Sequence, residues 1–272
     1  MRINHNIAAL NTHRQLTANQ ALASRSLERL SSGLRVNRAG DDAAGLGISE
    51  GMRGQIRGLN QAIRNAQDGV SLIQTAEGAL NETHSILQRM RELAVQSAND
   101  TNITADRTSI QAEVTQLIAE VDRIASTTQF NTQVLLDGGF ATTALTFHVG
   151  ANVGQTVALN IATMNATGLA IAGVNVGTQT FANAAIGDVA TAINSVSTAR
   201  SSLGAMQNRL NHTINNLGTS SENLSAAESR IRDVDMASEM MQFTKMNILQ
   251  QAAQAMLAQA MQQPQGVLQL LR

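Results

Sequence analysis

The string that looks most like chemistry is Gly47-Ile48-Ser49-Glu50-Gly51, which fits the G-x-S-x-G pattern of a nucleophile elbow. That chemistry needs an apolar strand entering the turn and a helix leaving it. It also needs an Asp and then a His later in the chain to polarise the serine. The residues before the string, Asn37 to Gly45, are polar and glycine-rich, so a connector entering a helix fits better than a strand. Gly45-x-Gly47-x-x-x-Gly51 misses the dinucleotide-binding spacing by one residue and lacks the strand as well. His5, His13, His84, His148 and His212 are scattered, with no pair at metal-ligand spacing. Asp41-Asp42 could hold a cation, but paired acids in a connector more commonly serve as a solvated cap or ion-pair site. Without cysteine there is no thiolate metal site, disulfide or cysteine nucleophile. No catalytic residue, metal or cofactor is expected, and the chain does not read as an enzyme.

Charge and hydropathy narrow the partners. The net charge of −1 argues against a nucleic-acid binder. Residues 1–40 nevertheless carry six arginines (Arg2, Arg14, Arg25, Arg29, Arg35, Arg38) against one acid, Glu28. A basic helix can lie on a membrane surface, but this one has no Trp or Phe to anchor it. No segment reaches the roughly 18 apolar residues of a membrane span, so no membrane insertion is expected. The first residues lack the apolar core and cleavage site of a secretory signal. The protein is expected to stay in the cytoplasm or to leave by a route that cleaves nothing.

The elements around these residues follow from what is missing. Five Phe, no Trp, no Tyr and one proline, Pro264, leave the core to aliphatic side chains and leave long helices unbroken. Apolar residues recur at alternating steps of three and four, the mark of helices sharing a seam. Ile3, Ile7 and Leu10 lead into Leu16, Ala23, Leu27, Leu30 and Leu34. A second run passes from Ile56 through Ile73 to Leu80, then changes register towards Leu87, Met90 and Leu93; a third is Ile110 to Ile124. The longest holds one register over residues 186–231, which as helix would extend about 70 Å. A last run includes Phe243, Met246 and Leu257. Between the halves the period becomes two, and a β-hairpin is expected near residues 143–162, followed by a loop-rich stretch to Ala185. Gly33 to Gly54 reads as an ordered connector with several helix-breaking positions. The fold class is mainly α: a long antiparallel helical bundle or coiled coil of the N- and C-terminal halves, with a small β-hairpin cap. Residues 50–128 would pack against 186–231, and the terminal helices 1–34 and 236–262 would form a second pair.

Two features point to assembly. Arg200, Gln207 and Glu228 interrupt the seams, either as ordinary surface positions or as polar groups that penalise slipped pairings. Six of the eleven methionines lie between Met236 and Met261, beside Gln250, Gln251, Gln254 and Gln259. A methionine stripe is usually core, and its deformability suits more than one packing partner.

At the connector the wording becomes specific. Asn37-Arg38-Ala39-Gly40-Asp41-Asp42-Ala43-Ala44-Gly45-Leu46, continuing Ile48-Ser49-Glu50 and Met52-Arg53, closely resembles bacterial flagellin. So do Gln61 to Gly69, Gln74 to Leu80, and the block from Ser229 to Met240. The resemblance covers roughly residues 1–136 and 186–272 and makes the chain look like a short member with a minimal variable region.

That resemblance implies a structural subunit of the flagellar filament, in the secreted, extracellular flagellum. It implies an inner-tube terminal domain from 1–40 and 232–272, including the start of a spoke, with Asn37, Arg38, Asp41 and Asp42 as the spoke connector. A helical rod domain of the outer tube would come from 41–136 and 184–231, with a short variable region at 137–183. The implied partners are other copies of the chain, a flagellar export chaperone, a filament cap protein and hook-associated junction proteins. Gln88 to Gln96 resembles the segment through which flagellins are sensed by a host Toll-like receptor. Gln88, Arg89, Leu93 and Glu113 would be the contacts, while Leu117 departs from the arginine common in strong agonists. Physics agrees with the assembly reading. Narrow, Ala-rich terminal helices are marginal alone, so they are expected to order only between neighbours, along the seams of Ile3, Ile7, Leu10, Leu27, Leu30, Leu34, Phe243, Met246 and Leu257. Heterologous contacts that do not close give an open helical polymer. The alternatives are a hook–filament junction protein of the same build and, from another class, a secreted hydrolase using Ser49.

Overall fold

A computed structural model describes residues 6–270 of the chain. Its elements in order are α1 (Ile7–Ser32), α2 (Ala43–Ser97), α3 (Thr104–Thr127), β1 (Gln129–Phe130), β2 (Gln133–Val134), α4 (Gly139–Thr142), β3 (Leu145–His148), β4 (Thr156–Leu159), α5 (Gln179–Arg232) and α6 (Met236–Leu270). The mainly α class with a small antiparallel hairpin is what the apolar periodicity predicts. The chain forms two compact units. One joins the residues up to Gly54 with those from Glu222 onward; the other is 55–221.

In the 55–221 unit the seams become a core. Ile73, Ala76, Leu80, Leu87, Met90 and Ala94 of α2 are buried, spaced by threes, fours and a seven. From α5 come Val189, Ala192, Val196, Leu203, Leu210 and Leu217, and from α3 Ile110, Val114, Val121 and Ala125. Each fully buried aliphatic side chain contributes about 1.5–3 kcal/mol. Arg200 sits between Val196 and Leu203 in this register, half-buried, with Nη2 3.9 Å from Glu77. The helical stretch expected over 50–128 is broken at residues 98–103. There the last carbonyls of α2 are taken up by side chains: Asn102 Nδ2 donates to Gln96 at 2.6 Å and Arg107 Nε to Ser97 at 3.0 Å.

The β3–β4 hairpin pairs Leu145 with Leu159 and His148 with Thr156. It lies on α2, where glycines make room: a Cβ on Gly58 would stand 2.9 Å from Ala151 Cβ, and one on Gly69 3.2 Å from the Phe147 ring. Asn65 Nδ2 donates to the His148 carbonyl at 3.0 Å. The stretch after the hairpin is packed rather than loose. Ile161, Met164, Leu169, Ile171 and Val176 are buried, and its backbone is tied to α3 by Asp122 (Ala166 N–H, 2.8 Å) and Gln111 (Val176 N–H, 2.6 Å). Sequence reading does not anticipate β1–β2, a two-residue ladder turned at Asn131 and Thr132 with φ of 48° and 65°.

In the other unit α1 pairs with α6. Asn6 caps α1, accepting from Ala9 N–H at 3.1 Å, and its Nδ2 donates to the Ala260 carbonyl at 2.7 Å. Gly33 closes α1 in the left-handed region (φ 71°). The chain then meets the end of α5 in an antiparallel bridge at Leu34 and Asp233, with Arg35 N–H donating to Arg232 at 2.7 Å and Val234 N–H to Gly33 at 3.1 Å. The expected connector from Gly33 to Gly54 is shorter than the glycines suggest, because α2 begins at Ala43 and carries Gly45, Gly47, Gly51 and Gly54 inside it. Asp42 explains the start: its Oδ1 accepts the Gly45 N–H at 2.8 Å, three residues on, as an N-cap does.

Candidate assembly surface

Glu239 apart, the terminal pair buries little, and what it buries is small. Ala23 and Ser26 of α1 and Ala260 of α6 are buried, which lets the two helices approach closely. Their large apolar side chains stay outside. Ile7 is 62% exposed, Leu10 64% and Leu27 55%; on α6, Met241 is 68% exposed and Ile248 61%. Of the remaining seam positions, Leu30, Leu34, Phe243, Met246 and Leu257 are half-buried. Ile3 lies outside the described residues. Met240, Met241, Thr244, Lys245, Ile248 and Leu249 line one shallow apolar depression on α6. Large apolar side chains gathered on one exposed helix pair mark an interaction surface.

Charge ties this unit together beneath that surface. Glu239 is buried, and its carboxylate stands 3.9 Å from Arg29 Nη1 across the helix pair. Arg29 Nη2 is 3.9 Å from Asp41. Three of the four connector residues singled out by sequence, Asn37, Arg38 and Asp41, meet here, while Asp42 caps α2. Asp41 Oδ2 accepts from the backbone N–H groups of Arg38 at 3.1 Å and Asn37 at 3.4 Å. The Arg38 and Asn37 side chains both donate to Glu28 at 2.8 Å. The Arg38 N–H, then that of Asn37, with Arg29 and Arg25 nearby, hold the Asp41 carboxyl below its ordinary range against a smaller opposing effect of burial. Glu50 accepts from Arg53 at 2.9 Å and Arg232 at 3.1 Å. Burial would raise its pKa, but Arg53 and then Arg232 outweigh that and hold it low. Sequence reading misses Glu239, Arg232 and Glu50 as partners. The arginine excess of residues 1–40 bears only on Arg29, which pairs with Asp41 and Glu239; nothing in the local spacing marks the contact of Glu50 with Arg232.

The elbow string does not form an elbow. Ser49 is fully buried inside α2, and its Oγ donates to the Leu46 carbonyl at 3.2 Å, one turn back. Among the described residues no three His, Asp or Glu side chains group as a metal site would need. No described helix is long and apolar enough to cross a membrane.

The segment from Gln88 to Gln96 lies on α2 in the other unit. Arg89 Nε donates to Glu113 Oε1 of α3 at 3.0 Å and Nη1 to Glu92 at 3.2 Å, with both partners of the Arg89–Glu113 pair about half exposed. Glu113, then Glu92, raise the Arg89 pKa further. Gln88 is exposed and contacts His84 at 3.0 Å. Leu93 is different: it is 2% exposed, within the core. Gln88, Arg89 and Glu113 therefore present polar groups to solvent, and Leu93 does not.

Comparison with known proteins agrees along the whole length. Residues 3–141 match the bacterial flagellin N-terminal helical region, and residues 186–271 match the bacterial flagellin C-terminal helical region. The chain is 60% identical to a flagellin of Halalkalibacterium halodurans, with all of both chains covered. It is 51% identical to the flagellar filament 33 kDa core protein of Treponema phagedenis, again over all of both chains. Among solved structures, a Bacillus cereus flagellin superposes with a TM-score of 0.51 at 33% identity, covering 61% of this chain and 94% of that one.

Proposed function

Because the chain belongs to the bacterial flagellin family and is a structural subunit that polymerises into the flagellar filament, we propose that its terminal helices complete their fold only against neighbouring copies. One observation carries this reading. Eleven large apolar residues of the α1–α6 pair, among them Leu22 and Met241, are 40–68% exposed, while the seam residues of the 55–221 unit close into a buried core. Covering the exposed half of each Ile, Leu or Met with a neighbour contributes roughly 1 kcal/mol, which favours the ordered, assembled state of two helices that are marginal alone.

Residues 1–40 and 232–272 then form the inner tube, 41–136 and 184–231 the outer tube, and 137–183 the short variable region. The network at Asn37, Arg38, Asp41 and Asp42 serves as the spoke that fixes where α1 ends and α2 begins. The exposed face of α6 is the surface an export chaperone would shield before assembly. A cap protein would guide folding at the tip, junction proteins would join the filament to the hook, and the subunit would be secreted to reach its place outside the cell. The exposed Arg89–Glu113 pair, with Gln88, supports recognition by a flagellin-sensing Toll-like receptor. Neither alternative is favoured. Relatives about half or more identical over their full length are filament proteins, and Ser49 lies in a helix without access to substrate.

The test is hydrogen exchange on free subunit and on filament grown from seeds. Protection of residues 6–32 and 236–262 should be weak in the subunit and strong in the filament. Equal strong protection in both states would refute the coupling.

A further inference from the structure

The methionines of this chain span a range of exposure, with Met52, Met206 and Met246 half-buried between the two extremes. Met90 is 1% exposed and Met164 4%, both inside the core of the 55–221 unit. On α6, Met236 is 49% exposed, Met240 50%, Met241 68%, Met256 55% and Met261 61%. Thioether oxidation follows access to the sulfur, so these five react first with an oxygen-donating oxidant. They also share α6 with Ile248 and Leu249, and Met240 and Met241 border the same apolar depression.

We propose that Met236, Met240, Met241, Met256 and Met261 form a peroxide-sensitive modification site whose conversion to sulfoxide blocks polymerisation of the unassembled subunit. The co-reactant is hydrogen peroxide. The thioether sulfur gives up an electron pair and takes one oxygen atom; the O–O bond breaks, and the second oxygen leaves as water, so the sulfur is oxidised and the peroxide reduced. The product carries a polar S–O group on a flexible side chain that was apolar. A neighbour that covers α6 buries that group without a donor, which disfavours the covered state. Once α6 is covered the sulfurs are out of reach, so oxidation acts before assembly and spares the finished filament. This inference rests on the proposal that neighbours cover α6.

Purified full-length subunit is treated with hydrogen peroxide, mapped by peptide mass, and offered filament seeds. Sulfoxide should appear at the five α6 methionines and not at Met90 or Met164. The critical concentration for elongation should rise at least about tenfold, and methionine sulfoxide reductases of both epimer classes should restore it. A Met240→Leu/Met241→Leu/Met256→Leu variant keeps the apolar volume and should elongate with much reduced peroxide sensitivity. If that variant does not elongate untreated, the reductase rescue of wild type decides alone. Oxidised wild type elongating as well as untreated protein would overturn the inference, as would equal oxidation of Met90 and Met164. Failure of untreated subunit to elongate at all would instead strike the assembly reading.

Discussion

The guanidinium of Arg29 on α1 stands 3.9 Å from the buried carboxylate of Glu239 on α6, and 3.9 Å from Asp41 in the connector. One side chain thus links three segments that are distant in sequence. Glu239 Oε1 has no hydrogen-bond partner, and Arg29 is the cation that faces it. Arg29→Ala leaves a carboxylate enclosed without its counter-charge, which costs more than the pair itself is worth. The expected loss is about 2 kcal/mol, discounted because Arg29 is partly exposed. Glu239→Gln removes the charge and should cost less, and the double variant should recover part of the Arg29→Ala loss. Filament melting by calorimetry reads all three; additive single-variant effects would show that the two residues are not coupled.

Acid should loosen this unit in a defined window. Asp41 and Glu50 both have carboxyls held below their ordinary values of 3.8 and 4.5. A carboxyl depressed in the folded state contributes stability that is fully present above its ordinary value, and that contribution is lost as pH falls through the depressed one. Filaments should therefore lose melting temperature as pH falls below about 4.5, with little change at higher pH from these two groups. An Asp41→Asn/Glu50→Gln variant should start lower at neutral pH and fall less steeply. Parallel pH profiles for wild type and variant would remove these residues from the account.

Two glycines of α2 should respond oppositely to the same change. A Cβ at Gly78 meets nothing within 4 Å, so Gly78→Ala should stabilise the 55–221 unit by about 0.5–1 kcal/mol through helix propensity and a less disordered unfolded chain. A Cβ at Gly58 meets Ala151 Cβ at 2.9 Å and its Cα at 3.1 Å. Backbone cannot swing aside as a flexible side-chain tip can, so Gly58→Ala should destabilise by about 1–3 kcal/mol and shift the turn joining β3 to β4. Urea unfolding of the two variants separates them by sign.

Much of this architecture is written in spacing. The steps of seven through Val189, Val196, Leu203, Leu210 and Leu217 specify α5, and the alternation at Leu145 and Phe147 specifies β3. What is not legible has physical reasons. β1 and β2 are two residues each, too short for any period, and their turn uses Thr132, a β-branched residue that ordinary turn chemistry would not place at φ 65°. The glycines from Gly45 to Gly54 suggest a break, but the Asp42 cap starts α2 and the helix runs through them. The Arg29–Glu239 pair depends on how α1 and α6 slide past one another, which no local pattern encodes. For the candidate site, chain position identifies the seams, but only packing shows that Ile7 and Leu10 face outward while Leu93 is enclosed.

Leu93 and Arg89, four residues apart on α2, should separate receptor contact from structural support. Arg89 is half exposed and its pair with Glu113 is solvated, so Arg89→Ala should leave the unfolding curve nearly unchanged. If the exposed pair is what a Toll-like receptor reads, the same variant should lower the response of receptor-reporter cells while its unfolding curve stays unchanged. Leu93→Ala empties a core position and should cost about 2–5 kcal/mol. Any loss of response there would follow unfolding and would be relieved by lowering the temperature of the assay. Leu93→Met keeps the volume and should retain both stability and response. Wild-type response that survives Arg89→Ala and Glu113→Ala undiminished would leave that pair with filament packing as its only role.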